Sequence, residues 1–313
     1  MSRMIQITLF GPFEVRCEGN PVRGLDARKA QELLAYILLQ RGRACSREFL
    51  AEMLWGQRLP AQSKKYLRQT LWQVQSALAD QAAESEAASL LTLDGEWIRY
   101  NEHCPVQLDV AAFERAHVYA EGVPGSELDM QGAAALRQAA QLYRGDLLPG
   151  CYEDWCIFER ERLQTIYLGM LDKLIDCCQR HSQFEQGLAY GETILRYDRA
   201  RECTHRRMMT LYYLAGDRTS ALRQYEQLTQ ALREELAVQP SRRSAALRDQ
   251  IRADSFDDTS PPLGNARPTP RSQHSDASAD SRQHLRRLHA SLLQMQRQIG
   301  YEIAAIELAL ADA

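Results

Sequence analysis

The chain has 313 residues, 45% hydrophobic and 25% charged, enough for two or three ordinary domains that each bury a core. Lys+Arg 38 against Asp+Glu 41 leaves a net charge of −3, which excludes a histone-like polycation. The average conceals a division: residues 1–79 hold 12 Lys/Arg and 6 Asp/Glu, a net +6, so the remainder is acidic and only the first module is expected to meet a polyanion.

The opening MSRMIQITLFGPFEV alternates polar with apolar, unlike the continuous apolar core of a signal peptide. The longest apolar run, Leu33 to Leu39, is too short to cross a bilayer. Eight cysteines without a C-x-x-C pair are expected to be reduced thiols of a cytoplasmic protein.

Ile5, Ile7 and Leu9 point one way, Gly11-Pro12 turns the chain, and Phe13 and Val15 resume the alternation, so a small antiparallel sheet is expected first. Ala30, Leu33, Leu34, Ile37 and Leu38 have helical spacing within a helix over 27–41 that Gly42 ends. Ser46 is placed to cap a second helix through Trp55-Gly56. A third helix is expected from about Gln62 to Ala79 after a Pro60 loop, then two short strands from Leu90 to Tyr100 around Asp94-Gly95-Glu96. Sheet, three helices and a hairpin within about 100 residues is the layout of a winged helix-turn-helix, with the third helix for the major groove.

Beyond Val106 the pattern is helical, with Asp109 as an expected N-cap and helices near 110–121, 130–144 and 155–180. The stretches beginning at His181 and Ala215 superpose at an offset of 34, the period of tetratricopeptide helix pairs, and a helix capped at Pro240-Ser241 completes the stack. Residues 254–281, with prolines 261, 262, 268 and 270 among Ser, Asp and Thr, read as a disordered linker. In 282–313, Leu285, Leu288, Leu292, Met295, Ile299, Ile303, Ile306 and Leu310 form a heptad-like seam with one stutter, a C-terminal amphipathic helix. The expected fold class is mostly α: a winged helix-turn-helix over 1–104, a tetratricopeptide-like stack over 105–253, the linker, and the C-terminal helix.

With Leu67, Leu71, Val74 and Leu78 as the buried stripe of the third helix, about 100° per residue places Gln62, Lys65, Arg68, Gln69, Trp72, Gln73 and Ser76 on the opposite side. Arg pairs with guanine and Gln with adenine, while Lys64 and Lys65 suit phosphates. The same pattern also fits an ordinary solvated helix face. Ser46-Arg47 opens the second helix, whose N-terminus is suited to a phosphate, with Arg41 and Arg43 upstream. On the wing, Asp94 and Glu96 oppose phosphates and Arg99 alone favours them. Cys177, Cys178 and His181 lack a second ligand pair and read as buried thiols, so no metal is expected. Neither a phosphate loop, nor a nucleophile elbow, nor a zinc-protease motif occurs, and no enzyme or cofactor is expected.

LFGPFEVRCEGNPV, ARKAQELLAYILLQRGRACSREFLAEMLWG and LRQTLWQVQSAL together resemble the winged-helix half of the antibiotic-regulatory-protein type of bacterial transcriptional activators. LYRGDLLPGCYEDWCIFERERLQTIYLGML, residues 142–171, is similar to their bacterial transcriptional activation domain, which in that family is a tetratricopeptide-like stack. The resemblance covers about residues 4 to 252. It implies binding of double-stranded promoter DNA in pairs, often on direct repeats, and recruitment of RNA polymerase. Lys64, Arg68 and Gln69 match the family's recognition-helix positions, and Arg28-Lys29 its basic start to the first helix. The family usually has a small residue at Trp72 and arginines at Gln73 and Gln75. The rival expectation is an interaction scaffold whose winged helix makes protein contacts.

Overall fold

The computed structural model describes residues 4–79 and 90–255. Most of the expected linker and the whole C-terminal seam, from residue 256 onward, lie outside the described residues.

β1 (Ile5–Thr8) pairs antiparallel with β2 (Glu14–Cys17), Ile5 opposite Cys17 and Ile7 opposite Val15, so that the apolar members of both strands share the buried face. A two-residue β3 (Asn20–Pro21) extends one edge. The other edge is taken by β7 (Val106–Leu108), parallel to β1 with Leu108 opposite Ile7. Helix α1 (Arg28–Leu39) buries Ala30, Leu33, Leu34, Ile37 and Leu38 as its spacing predicts. In β4 (Cys45–Ser46) the chain pairs with the wing before α2 (Arg47–Trp55), whose first turn Ser46 caps by accepting from the Phe49 N–H.

Helix α3 (Pro60–Ala79) begins two residues earlier than the spacing suggests, because Pro60 is its first residue rather than part of a loop. A proline costs nothing there, where the N–H has no helical partner. The wing is β5 (Leu91–Asp94) and β6 (Trp97–Tyr100), joined by Gly95-Glu96. Gly95 leads the turn with φ +54°, and β6 pairs in turn with β4.

Helices α4 (Asp109–Tyr119), α5 (Met130–Leu142), α6 (Asp154–Arg180), α7 (Phe184–Tyr197), α8 (Glu202–Leu214), α9 (Arg218–Leu236) and α10 (Arg242–Ala253) follow. The internal repeat is visible in the turns that open its units. Ser182 and Gly216, 34 apart, both adopt positive φ, and the N–H that follows each reaches back to Cys178 O and Tyr212 O, both at 2.9 Å. Ser241 caps α10 through the Ser244 N–H, as the sequence predicts.

Asp109 does not play the expected role. It is the first residue of α4, and its Oδ2 accepts from the N–H groups of Leu9 and Phe10, at 2.8 and 2.9 Å, a hundred residues away. The segment 146–148 meets the same strand end: Gly11 N–H donates to Asp146 O, and Leu148 N–H to Leu9 O. Phe10 lies against Phe113 and Tyr143, with ring centroids 5.1 and 4.8 Å away, and Tyr143 stacks on Tyr167 at 4.2 Å. One apolar core therefore runs unbroken from the first sheet and α1–α3 into α4–α6. A smaller core of Met209, Ala221, Leu247 and Ile251 closes the far end of the stack.

Candidate nucleic-acid interface

The orientation of α3 follows from what it must bury. Leu67, Leu71, Val74 and Leu78 are all within 5% of full burial, and Ser63 ties the helix start to α2 by donating to Trp55 O at 2.9 Å. Opposite that stripe, Gln62, Lys64, Lys65, Arg68, Gln69 and Trp72 are exposed, with Trp72 70% accessible. Lys65, Arg68 and Gln69 have no hydrogen-bond or ion-pair partner among the described residues. Lys64 meets Glu48 at 3.1 Å, but both ends are exposed, and such a pair is worth at most about 1 kcal/mol. Gln73 is turned elsewhere: its Nε2 donates to Gly24 O at 2.8 Å, and it serves the loop before α1.

The residues expected around α2 divide. Ser46 is occupied as a cap, while Arg47 donates from Nε to Gly95 O at 2.8 Å and from its backbone to Glu96 O, tying the start of α2 to the wing turn. Arg43 is exposed in the loop before β4, and Arg99 is exposed on β6 opposite Thr92. One exposed cation missed in the sequence is Arg58, two residues before the Pro60 start of α3. An arginine so close to a helix-opening proline was the available signal.

Arg28, Lys29 and Arg41 lie in a different place. Arg28 donates to Glu32 at 2.8 Å and to Gly150 O, while Lys29 lies 2.8 Å from both Glu32 and Glu153. Burial works against the Lys29 charge, but the Glu153 and Glu32 carboxylates outweigh it and hold its pKa above the ordinary lysine value. Arg41 pairs with Glu114 of α4, which also receives Arg162 of α6. Burial alone would raise the Glu114 carboxyl; the two guanidinium groups keep it below its usual range. Tyr36 meets Trp155 edge-on at 5.2 Å beside these pairs. These three cations therefore hold α1 against the helices that follow.

The joint also explains the LYRGDLLPG segment. Arg160 of α6 donates to the carbonyls of Leu147, Leu148 and Cys151 at 3.0–3.1 Å, fixing a loop in which Leu148 and Gly150 take positive φ. His181, considered for a metal, donates from Nδ1 to Cys177 O at 2.9 Å, and the described residues contain no cluster of three metal-ligating side chains. Among them, too, no helix is long and apolar enough to cross a membrane.

Residues 108–252 match the bacterial transcriptional activator domain family. The regulatory protein DnrI of Streptomyces peucetius is 28% identical over 257 residues, which span 80% of this chain and 93% of that one. In fold, the chain is similar to EmbR of Mycobacterium tuberculosis, solved in complex with a low-affinity phosphopeptide. The two share a TM-score of 0.64 and 20% identity, over 82% of this chain and 67% of the other. A winged helix ahead of residues that match the bacterial transcriptional activator domain, together with the likeness to DnrI, supports a transcriptional regulator of the antibiotic-regulatory-protein type.

Proposed function

We propose that the protein binds promoter DNA with α3 in the major groove and activates transcription by bringing RNA polymerase to its helical stack. The observation that carries this reading is the exposed face of α3, where Lys64, Lys65, Arg68, Gln69 and Trp72 stand opposite a fully buried stripe. The joint supports it from the other side: the winged helix spends Arg28, Lys29, Arg41 and Tyr36 on the helices behind it, and α3 stays open. Arg58 just before α3, Arg43 in the loop before β4, Arg47 at the start of α2 and Arg99 on the wing suit backbone phosphates. Two copies on a direct repeat would place two such helices along one face of the DNA. The protein then works in the cytoplasm, on the nucleoid.

Fluorescence anisotropy of the full chain on labelled promoter fragments, across a salt series, tests the proposal. Arg68→Ala is expected to cost about 1–3 kcal/mol on the preferred sequence and little on random DNA. Lys65→Ala is expected to weaken all sequences alike and to lower the salt slope by about one. A parent chain that binds no duplex at low salt, or an Arg68→Ala variant that binds the preferred site undiminished, overturns the reading.

A further inference from the structure

We propose that Trp72 is a base-reading residue of α3, which recognises the 5-methyl group of a thymine and so fixes a T·A pair near the base that Arg68 contacts. The inference rests on the DNA-binding proposal above and adds a specificity that no cation of the helix supplies. The Trp72 side chain is 70% exposed and has neither a hydrogen bond nor a ring contact among the described residues. Two of the other tryptophans lie on a neighbouring ring: Trp55 on Tyr66, with centroids 6.2 Å apart, and Trp155 on Tyr36 at 5.2 Å. Trp97, on the wing, is half-buried.

Position decides what the ring meets. Helix α3 buries seven positions between Ser63 and Leu78, and at about 100° per residue Trp72 stands within about 20° of the direction opposite their mean. A helix that turns this side into the major groove carries Trp72 to the floor, where the base edges are, rather than to the sugar-phosphate walls. Gln73, the next residue, is held away by Gly24 O. Past Arg68, one turn back, α3 has no charged residue, so this part of the groove meets an apolar ring without a competing cation.

Chemistry then names the base. The one apolar group that the four bases present in the major groove is the C5 methyl of thymine; the other bases offer hydrogen-bond donors and acceptors there. Thymine also carries the O4 acceptor beside that methyl, and the Trp72 Nε1–H is a donor with no partner among the described residues, so one ring serves both groups. The same methyl occurs on 5-methylcytosine, which has the N4 donor where thymine has O4. Four residues of helix separate Arg68 from Trp72 by about 6 Å, which places the thymine about two base pairs from the base under Arg68.

The test uses the duplex that the full chain itself enriches from a random pool, with fluorescence anisotropy as the readout. Each thymine is replaced in turn by deoxyuridine, which removes the methyl and keeps every hydrogen-bonding group. At one position the parent is expected to bind about fourfold more weakly, the ~0.8 kcal/mol of one buried methyl at 1.4 kcal/mol per tenfold. There cytosine is expected to bind worse than uracil, and 5-methylcytosine to recover about the same factor over cytosine. Trp72→Ala, at an exposed position, is expected to bind the thymine and uracil duplexes within about 1.5-fold of each other and to keep the parent's salt dependence. A scan in which no deoxyuridine matters overturns the assignment, as does a Trp72→Ala variant that still separates thymine from uracil. So does a response to cytosine methylation alone, which takes the methyl from the other base. A Trp72→Ala loss confined to sites with two repeats assigns the ring to a second copy of this chain, and it too overturns the inference. Should the parent enrich no duplex, the DNA-binding proposal falls and this inference with it, whereas a flat scan on an enriched duplex sinks the thymine assignment alone.

Discussion

Replacing Asp109 tests whether the two halves of the described chain are one cooperative unit. Its Oδ2 is the acceptor for the N–H groups of Leu9 and Phe10, both residues fully buried, and its Oδ1 takes the adjacent Val110 N–H. In Asp109→Ala both distant donors are left without a partner, at about 1–3 kcal/mol each, so the gross loss is about 2–6 kcal/mol. Part of this is returned. Burial raises the Asp109 carboxyl above its ordinary value even with three N–H groups opposing, which means that its charge is held at a cost. The net expectation is about 2–4 kcal/mol. Asp109→Asn separates the effects: the amide oxygen still accepts from Leu9 and Phe10, while the amide nitrogen faces the Val110 N–H and loses only the local bond. About 1 kcal/mol is expected for Asn. Guanidinium unfolding followed by both tryptophan fluorescence and circular dichroism measures this, as a shift in midpoint at unchanged m. An alanine variant within about 0.5 kcal/mol of the parent, or an asparagine variant as damaging as alanine, refutes the reasoning. So does a fluorescence transition that separates from the circular dichroism, since the shared core would then not couple the halves.

Two further expectations concern the stack. Arg207 is 5% exposed and meets Asp172 at 2.7 Å and Asp176 at 2.9 Å, with Arg201 also on Asp172; Arg207→Ala leaves buried carboxylates short of a partner and is expected to cost about 3–5 kcal/mol by chemical denaturation, a loss below about 1 kcal/mol arguing against burial. His205 is buried, with Nε2–H donating to Arg199 O and Nδ1 accepting from Gln224, and burial lowers its pKa. Above its unfolded value of about 6.5 both states are neutral and its contribution is complete. Below that value the unfolded chain binds a proton that the folded chain refuses, so stability falls until the folded pKa is reached. The loss of stability between about pH 7.5 and 5.5 is therefore expected to be smaller in His205→Gln than in the parent, and an equal or larger loss contradicts the neutral assignment.

What could be read from the sequence was whatever is decided within a few residues. The α3 stripe at Leu67, Leu71, Val74 and Leu78 is a matter of 100° steps, and the Ser46 and Ser241 caps need a donor three residues on. The 34-residue repeat is likewise carried by its own turns. Strands of two or three residues, β3, β4 and β7, have too few positions for alternation to show, and β7 is paired by the distant β1.

The larger discrepancy concerns charge. Lys29 and Arg41 carry the same chemistry as Lys65 and Arg68, and composition cannot tell a cation that meets a carboxylate over seventy positions away from one that meets none; Arg28 meets the nearby Glu32 and reaches across the joint to the Gly150 carbonyl. Glu114 lies 73 residues from Arg41 and Glu153 lies 124 from Lys29, so no local pattern links them. Folding performs the sorting. It pairs at the joint the cations on and just after α1 and leaves Lys65 and Arg68 of α3 facing outward without a partner among the described residues, because α3 spends its apolar stripe inward, while Lys64 meets the exposed Glu48 of α2. The basic excess of residues 1–79 is thus shared between two tasks, and the part available to a polyanion is smaller, and more concentrated around one helix, than the net +6 implies.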